Sequence, residues 1–189
     1  MRCKCTNPSD NKMDVEANRA ARKWTRAEQL GRALWSVGRI LFRFSPRPFW
    51  SWRVFILRCF GASIDRKVHI HPTVRIEIPW NLRIGTYVAI GDRAILYNLG
   101  RITIGPSVTI SHGAHLCAGT HDYQRRDFPL IKAPIVIGEG AWICADAFIA
   151  PNIEVGDRAI VGARAVVVAN VIPDCIVAGN PAKIIKRRN

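Results

Sequence analysis

The chain has 189 residues, of which 49% are hydrophobic and 22% are charged, and it carries a formal net charge of +14. This composition favours one compact domain with a tail over two domains or a chain that is disordered throughout. The six cysteines have no paired spacing, which argues against a disulfide framework, so we expect reduced cysteines in the cytoplasm.

The basic residues concentrate at the start of the chain, where residues 1–60 hold 13 Lys and Arg against 4 Asp and Glu. Such an excess indicates an anionic partner, either a membrane surface or a nucleic acid. The absence of a recognisable nucleic-acid-binding motif favours the membrane surface. The sequence has neither an apolar run long enough to span a bilayer nor the apolar core of a signal peptide. We therefore expect a cytoplasmic protein, with any membrane contact peripheral and at the inner face.

Residues 1–22 are polar and charged, which predicts a disordered tail. Residues 23–62 predict an amphipathic helical segment that begins with a capping box of Thr25 and Glu28. Its apolar residues repeat at helical spacing, first at Leu30, Ala33, Leu34, Val37, Leu41 and Phe44 and then at Trp52, Phe55, Ile56, Cys59 and Phe60. A basic segment of this kind either lies on a membrane surface or packs its apolar face on a neighbouring domain or subunit.

From Ile64 onwards, aliphatic residues recur every six positions. They fall at Ile64, Ile70, Ile76 and Leu82, at Ile84, Ile90, Leu96 and Ile102, at Ile104, Ile110 and Leu116, and, after an interruption, at Ile137, Ile143, Ile149, Val155, Val161 and Val167. Helical and alternating-strand periods of 3.6 and 2 residues cannot keep this register. A six-residue period instead predicts a parallel β-helix, in which three short strands form each triangular coil.

The predicted β-helix covers residues 63–178, with one extruded loop at residues 121–134 and a basic C-terminal tail at residues 179–189. The loop follows from the stretch CAGTHDYQRRDFPL at residues 117–130, which breaks the six-residue period. A spacing of 20 residues from Ile64 to Ile84, and again to Ile104, predicts a two-residue bulge in each of these two coils.

Three stretches carry a resemblance to a known family: FGASI at the start of the repeats, IPWNLRIG at residues 78–85 and THDYQRRDFPL at residues 120–130. With its I-G-x-x-A/V-x repeats and its ending VAGNPAKIIKRR, the chain resembles the left-handed β-helix acetyltransferases of the hexapeptide-repeat superfamily over about residues 30–189. Within that superfamily it resembles the sugar O-acetyltransferases of colanic acid and other exopolysaccharide biosynthesis. The resemblance implies an all-β, left-handed fold, acetyl-CoA as co-substrate, no metal, and a homotrimer whose active sites form between subunits.

Acetyl transfer from a thioester to a sugar hydroxyl needs a base that takes the hydroxyl proton, and histidine is the side chain that best suits this task near neutral pH. His121 lies where the repeat stops and the loop begins, and the family has its catalytic histidine at that point. We therefore predict that His121 is the general base. The adjacent Asp122 is a candidate for orienting its imidazole or for holding the loop.

The other predicted site residues all rest on the resemblance, position by position. Asn98 matches a position that binds the acceptor sugar, and Trp142 matches a tryptophan that lines the acyl or acceptor pocket, although it could instead pack on the loop. Ala145 and Ala163 match small residues whose backbone meets the pantetheine arm of coenzyme A. Lys183 and Lys186 match basic residues near its nucleotide phosphates, with a solvated basic tail as the alternative.

These observations predict an acetyl-CoA-dependent O-acetyltransferase that acts on a sugar hydroxyl of an exopolysaccharide precursor or a glycolipid. Serine and sugar-nucleotide acyltransferases of the same superfamily remain alternatives. His112, His115 and His121 invite comparison with γ-class carbonic anhydrases, whose zinc is bound by three histidines from two chains. A further alternative is a non-catalytic assembly module that docks through its basic helices.

Overall fold

The structure, a computed structural model, describes residues 14–188. It begins with three helices, α1 (Val15–Ala20), α2 (Arg26–Arg43) and α3 (Trp50–Cys59). The expectation of a disordered tail over residues 1–22 is wrong for α1, and residues 1–13 lie outside the described part. Within residues 14–188, no helix is both long enough and apolar enough to cross a bilayer.

Short parallel strands stack into three faces of a triangular prism. Face 1 contains β1 (Ser63–Ile64), β4 (Leu82–Ile84), β7 (Ile102–Ile104), β12 (Ile135–Ile137) and β15 (Glu154–Val155). Face 2 contains β2 (His69–Ile70), β5 (Ala89–Ile90), β8 (Thr109–Ile110), β13 (Trp142–Ile143), β16 (Ile160–Val161) and β18 (Cys175–Ala178). Face 3 contains β3 (Arg75–Ile76), β6 (Ile95–Tyr97), β9 (His115–Cys117), β14 (Phe148–Ile149) and β17 (Val166–Val167). The predicted parallel β-helix is confirmed.

The six-residue period correctly identifies the interior of the prism. Each predicted inward-pointing aliphatic is buried, with at most 5% of its surface exposed. On face 1 the register pairs Ile64 with Ile84, Ile84 with Ile104, and Ile104 with Ile137. Identical positions of successive coils therefore stack directly, and their side chains form one continuous core along the axis.

The extruded loop is a small hairpin at the edge where face 3 meets face 1. The chain leaves β9, forms β10 (Thr120–His121), and returns through β11 (Leu130–Ile131), which pairs antiparallel with β10. A Cβ at Gly100, in the preceding coil, would collide with the carbonyl of Ala133 at the base of this hairpin. The loop therefore packs directly on the coil before it.

Helix α2 packs on the prism through a face that the sequence pattern did not indicate. The predicted capping box is confirmed, since Thr25 and Glu28 exchange side-chain and backbone hydrogen bonds. The buried residues of α2 are Trp35, Gly38 and Phe42, and the indole of Trp35 donates to the carbonyl oxygen of Ile76 at 2.9 Å. The predicted apolar stripe that begins at Leu30 faces away from the prism instead.

Helix α3 is attached to the prism by a buried arginine. Arg53 has no exposed surface, and its guanidinium donates to the carbonyl oxygen of Ile70 at 2.6 Å and to the Ser45 hydroxyl and the Pro46 carbonyl oxygen at 2.8 Å. Arg53 therefore connects the turn before α3 to β2. The predicted apolar face of this helix does not include Arg53, whereas the structure buries its side chain completely.

The C-terminal residues also depart from the prediction. Lys183–Arg187 form β19, which pairs antiparallel with β18 at the end of face 2. The expected basic tail is therefore largely an edge strand, whose five side chains are all exposed.

Candidate active site

The predicted base lies at the 3–1 edge, where face 3 meets face 1. The Nδ1 atom of His121 is 2.7 Å from the carbonyl oxygen of Phe128 across the hairpin. A carbonyl oxygen only accepts hydrogen bonds, so Nδ1 carries the proton in the neutral imidazole and Nε2 has a free lone pair. Phe128 has a φ of 42°, in the left-handed region that few aromatic residues occupy, at the turn that presents this carbonyl.

Asp122 does not orient the histidine. Its carboxylate accepts a hydrogen bond from the backbone N–H of Gln124 at 3.0 Å, and within residues 14–188 no hydrogen bond joins it to His121. Asp122 lies just after β10, at the start of the hairpin turn, where its side chain binds the backbone of Gln124 instead. The predicted orientation of the imidazole by Asp122 is therefore wrong as a direct contact, and the carbonyl of Phe128 contacts the ring instead. The hydrogen bond to Gln124 fits the alternative role of Asp122, which is to hold the loop.

Helix α1 clamps the same hairpin from the outside. The side-chain amide of Asn18 donates to the carbonyl oxygens of Asp127 and Phe128, and the backbone N–H of Asp14 donates to that of Arg126 at 2.9 Å. Asn18 and His121 thus share one acceptor. No sequence pattern indicated this contact, since it joins residues about 110 positions apart and Asn18 lies in the stretch predicted to be disordered.

Three other predicted site residues lie together at the 2–3 edge, where face 2 meets face 3. Ala145 follows β13 and Ala163 follows β16, and the carbonyl oxygen of Ala145 accepts from the N–H of Arg164 at 2.9 Å. Trp142 is 46% exposed on face 2, and its indole donates to the hydroxyl of Ser111 at 2.9 Å, which draws the ring toward this edge.

The two predicted lysines continue from this edge on β19. Lys183 pairs with Ala178 at the end of β18, and Lys186 pairs with Ile176 further along face 2. Both side chains are exposed, so they are free to meet an anionic group that approaches along the last coils.

Curated relatives identify the family. A family model described as bacterial transferase hexapeptide (six repeats) matches residues 134–169. A protein of Escherichia coli strain K12, described as a colanic acid biosynthesis acetyltransferase, is 43% identical over 82% of this chain and 85% of its own length. The chain belongs to the hexapeptide-repeat acetyltransferases.

More distant members support the same assignment. The galactoside O-acetyltransferase of Escherichia coli is 26% identical over 72% of this chain and 69% of its own length. A hexapeptide-repeat acetyltransferase of Vibrio cholerae, solved with acetyl coenzyme A, is 26% identical, with a TM-score of 0.80 over 89% of this chain and 92% of its own. The predicted family and the predicted acyltransferase class are confirmed.

Asn98 has a structural role in this acetyltransferase. It is fully buried, and its side-chain oxygen accepts from the N–H groups of Glu77 and Ile78 at 3.0 Å while its amide donates to the carbonyl of Ile78. All of these contacts go to the bulge of the preceding coil. The prediction that Asn98 binds the acceptor sugar is therefore wrong for this conformation, because the side chain reaches no surface.

The three histidines of the carbonic anhydrase comparison lie apart in one chain. His112 lies at the 2–3 edge and His121 at the 3–1 edge, while His115 lies on face 3 between the rings of Tyr97 and Phe148. Burial, with a smaller effect of Arg75, lowers the pKa of His115. Within residues 14–188, no three His, Cys, Asp or Glu side chains are grouped as a metal site.

The cysteines near both edges are poor nucleophiles. Burial raises the pKa of the Cys117 thiol, and burial also raises the pKa of the Cys144 thiol. A thiol must lose its proton to attack a carbonyl carbon, so neither side chain is prepared for a covalent acyl intermediate.

Proposed function

We propose that this acetyltransferase transfers the acetyl group of acetyl-CoA to a sugar hydroxyl of an exopolysaccharide precursor or a glycolipid, with His121 as general base. The hydrogen bond from Nδ1 to the Phe128 carbonyl carries the proposal, because it leaves Nε2 unprotonated on an exposed ring. The colanic acid relative supports the pathway, and the galactoside O-acetyltransferase supports a sugar as acceptor.

In the proposed step, Nε2 of His121 accepts the hydroxyl proton while the hydroxyl oxygen attacks the thioester carbonyl carbon. The new C–O bond forms a tetrahedral intermediate, which collapses as the C–S bond breaks. The imidazolium returns its proton to the leaving thiolate of coenzyme A. Each turnover therefore leaves the protein unchanged.

The separation of the two edges supports a site shared between subunits. One chain has His121 at the 3–1 edge, but Trp142, Ala145 and Ala163 at the 2–3 edge. These two edges border face 3. If face 3 turns toward a threefold axis, the 3–1 edge of each copy meets the 2–3 edge of the next, and a ring of three copies closes three complete sites.

The side chains that point outward from face 3 fit this arrangement. They include Ile95, Phe148 and Val166, which are partly exposed in the single chain. Apolar side chains in this position gain stability when a neighbouring subunit covers them. We therefore propose a homotrimer with face 3 at its centre.

Thiol release from acetyl-CoA with a panel of sugar and glycolipid acceptors tests the function. His121→Ala should lower turnover by about 10²–10⁴-fold with no change in oligomeric state, which is the range for loss of a general base. His69→Ala, an exposed histidine on face 2, is the matched control and should keep full turnover. Equal activity of both variants would contradict the role of His121.

Mixed trimers test the shared site. His121→Ala and Ala145→Trp should each be inactive alone, the first without a base and the second with a blocked pantetheine path. After unfolding and joint refolding at equal amounts, about a quarter of the sites should combine an intact His121 with an intact Ala145 from the next copy. Recovery near that fraction supports the shared site, whereas no recovery would place both residues in one chain's site.

A further inference from the structure

Helix α2 presents three distinct faces. Trp35, Gly38 and Phe42 face the prism and α3, and Gly38 lies so close to the ring of Phe60 that a Cβ would collide with it. Arg39 and Arg43 lie on a second, polar face, where Arg39 pairs with Glu77 at 3.5 Å. The third face is the apolar row, and none of its members belongs to the buried core cluster.

The apolar row runs the length of the helix, and more than half of each side chain in it is exposed. Its members are Leu30, Leu34, Val37, Ile40, Leu41 and Phe44. On α3, Trp52 and Phe55 are also exposed and stack with their ring centroids 5.9 Å apart. Together these eight residues form what we call the helix-pair surface. Leu, Phe and Trp are the side chains that insert into the interface of a bilayer.

The charge around the helix-pair surface is mostly positive. Residues 26–60 contain seven arginines, of which all but the buried Arg53 are at least partly exposed, and one acidic residue, Glu28, which pairs with Lys132 at 3.5 Å. Among the described residues, Arg26, Arg43 and Arg47 form no ion pair. Two copies that met through this surface would bring two strongly positive segments together, whereas an anionic surface neutralises them.

The helix pair also lies at a suitable end of the molecule. Trp35 donates to the carbonyl oxygen of Ile76 and Arg53 donates to that of Ile70, so α2 and α3 pack on the first coil of the prism. In a ring of three copies around an axis parallel to the prism, all three helix pairs lie at the same end of the assembly. A flat partner could then bind all three at once, and the avidity of three weak contacts would hold the trimer in place.

We infer that the helix-pair surface docks the protein on an anionic phospholipid bilayer. The apolar row enters the boundary between headgroups and acyl chains, and the arginines contact the lipid phosphates. The placement of three helix-pair surfaces at one end of the assembly rests on the proposed trimer. Docking on the bilayer does not depend on the proposed acetyl transfer. A lipid-linked acceptor would then meet the enzyme at the membrane surface.

Vesicle flotation of the full-length protein, without acetyl-CoA or acceptor, tests the inference independently of turnover. Vesicles of phosphatidylcholine with about 30% phosphatidylglycerol should carry the protein, and neutral phosphatidylcholine vesicles should carry at least about tenfold less. Raising the salt to about 0.5 M should weaken binding to the anionic vesicles, because salt screens the charge of the arginines, but the contribution of the apolar row should persist.

The variant Leu34→Asp/Leu41→Asp should reduce binding to the anionic vesicles by at least about tenfold, since it places charges in the apolar row. Val168→Asp/Ile172→Asp, two exposed aliphatics at the opposite end of the prism, is the matched control and should float like the parent. If the aspartates prevent folding, Leu34→Ser/Leu41→Ser makes the same test in a milder form.

Light scattering after size-exclusion chromatography separates the lipid from a second copy of the chain. If the Leu34→Asp/Leu41→Asp variant keeps the mass of the parent but no longer floats with the vesicles, docking on the bilayer is supported. A smaller assembly in the Leu34→Asp/Leu41→Asp variant would assign the apolar row to a contact between subunits and overturn the inference. Equal flotation of this variant and its control, or no flotation of the parent at low salt, would overturn it as well.

Discussion

The β-helix and helix α2 both have regular apolar patterns, but only the β-helix buries the residues of its pattern in the core. In the β-helix, every aliphatic residue of the six-residue period points inward, as the stacked register of Ile84 and Ile104 illustrates. In α2, the row that begins at Leu30 stays exposed and the buried positions are Trp35, Gly38 and Phe42.

The difference lies in how many surfaces compete for the apolar side chains. A strand of the prism has one inside and one outside, so a period fixes burial once the fold is known. A helix can contact several neighbours, and α2 has more apolar surface than the prism covers. A periodic pattern therefore predicts that a face is buried somewhere, but not by which partner.

The largest expected effect compares the same substitution in the two regions. Leu116→Ala, inside the prism, should lower the free energy of unfolding by about 2–5 kcal/mol, because it removes buried apolar surface and leaves a cavity. Leu41→Ala, in the exposed row of α2, should change it by less than about 0.5 kcal/mol. Urea unfolding at one fixed protein concentration measures both, and equal losses would contradict the comparison.

Substitution of Asn98 tests whether this position, which the family resemblance assigned to acceptor binding, has only a structural role in the β-helix. Asn98→Ala should lower the free energy of unfolding by about 1–3 kcal/mol, since it strands the N–H groups of Glu77 and Ile78. Asn170→Ala, which removes an exposed amide that accepts from Glu154, is the control and should cost less. An increase in the acceptor KM without a loss of stability would instead restore the predicted role in acceptor binding.

A smaller effect is expected where α1 meets the loop. Asn18→Ala should lower kcat by about three- to tenfold, because the Phe128 carbonyl that orients His121 loses a second donor. The KM for acetyl-CoA and the thermal unfolding midpoint should not move. Glu16→Ala on the same helix is the control and should keep the kcat of the parent. An equal fall in kcat for both variants would show that α1 affects the site as a whole and not through the Asn18 hydrogen bond.

The smallest expected effect is a dependence of stability on pH. Burial lowers the pKa of His115 below its usual 6.5, so the unfolded chain binds this proton at a higher pH than the folded chain. Stability should therefore fall as the pH drops below about 6.5. His115→Phe should flatten that fall, with a remainder from His71, whose pKa burial also lowers. An unchanged slope of unfolding free energy against pH would contradict this assignment.

The sequence by itself determined the β-helix, the position of its interior, the interruption at His121 and, through the resemblance, the family. These features depend on residues that recur at fixed intervals or lie next to each other, which a linear pattern records directly. The positions of the two bulges and of the capping box at Thr25 are equally local.

Only the tertiary structure decided which contacts complete these features. The clamp from Asn18 to the Phe128 carbonyl, the burial of Arg53 against Ile70 and the inward turn of Asn98 all join residues that are distant in sequence. Whether such a side chain is buried depends on what the folded chain brings beside it. For the same reason, the division of the site between two edges of the prism became visible only when the coils were stacked.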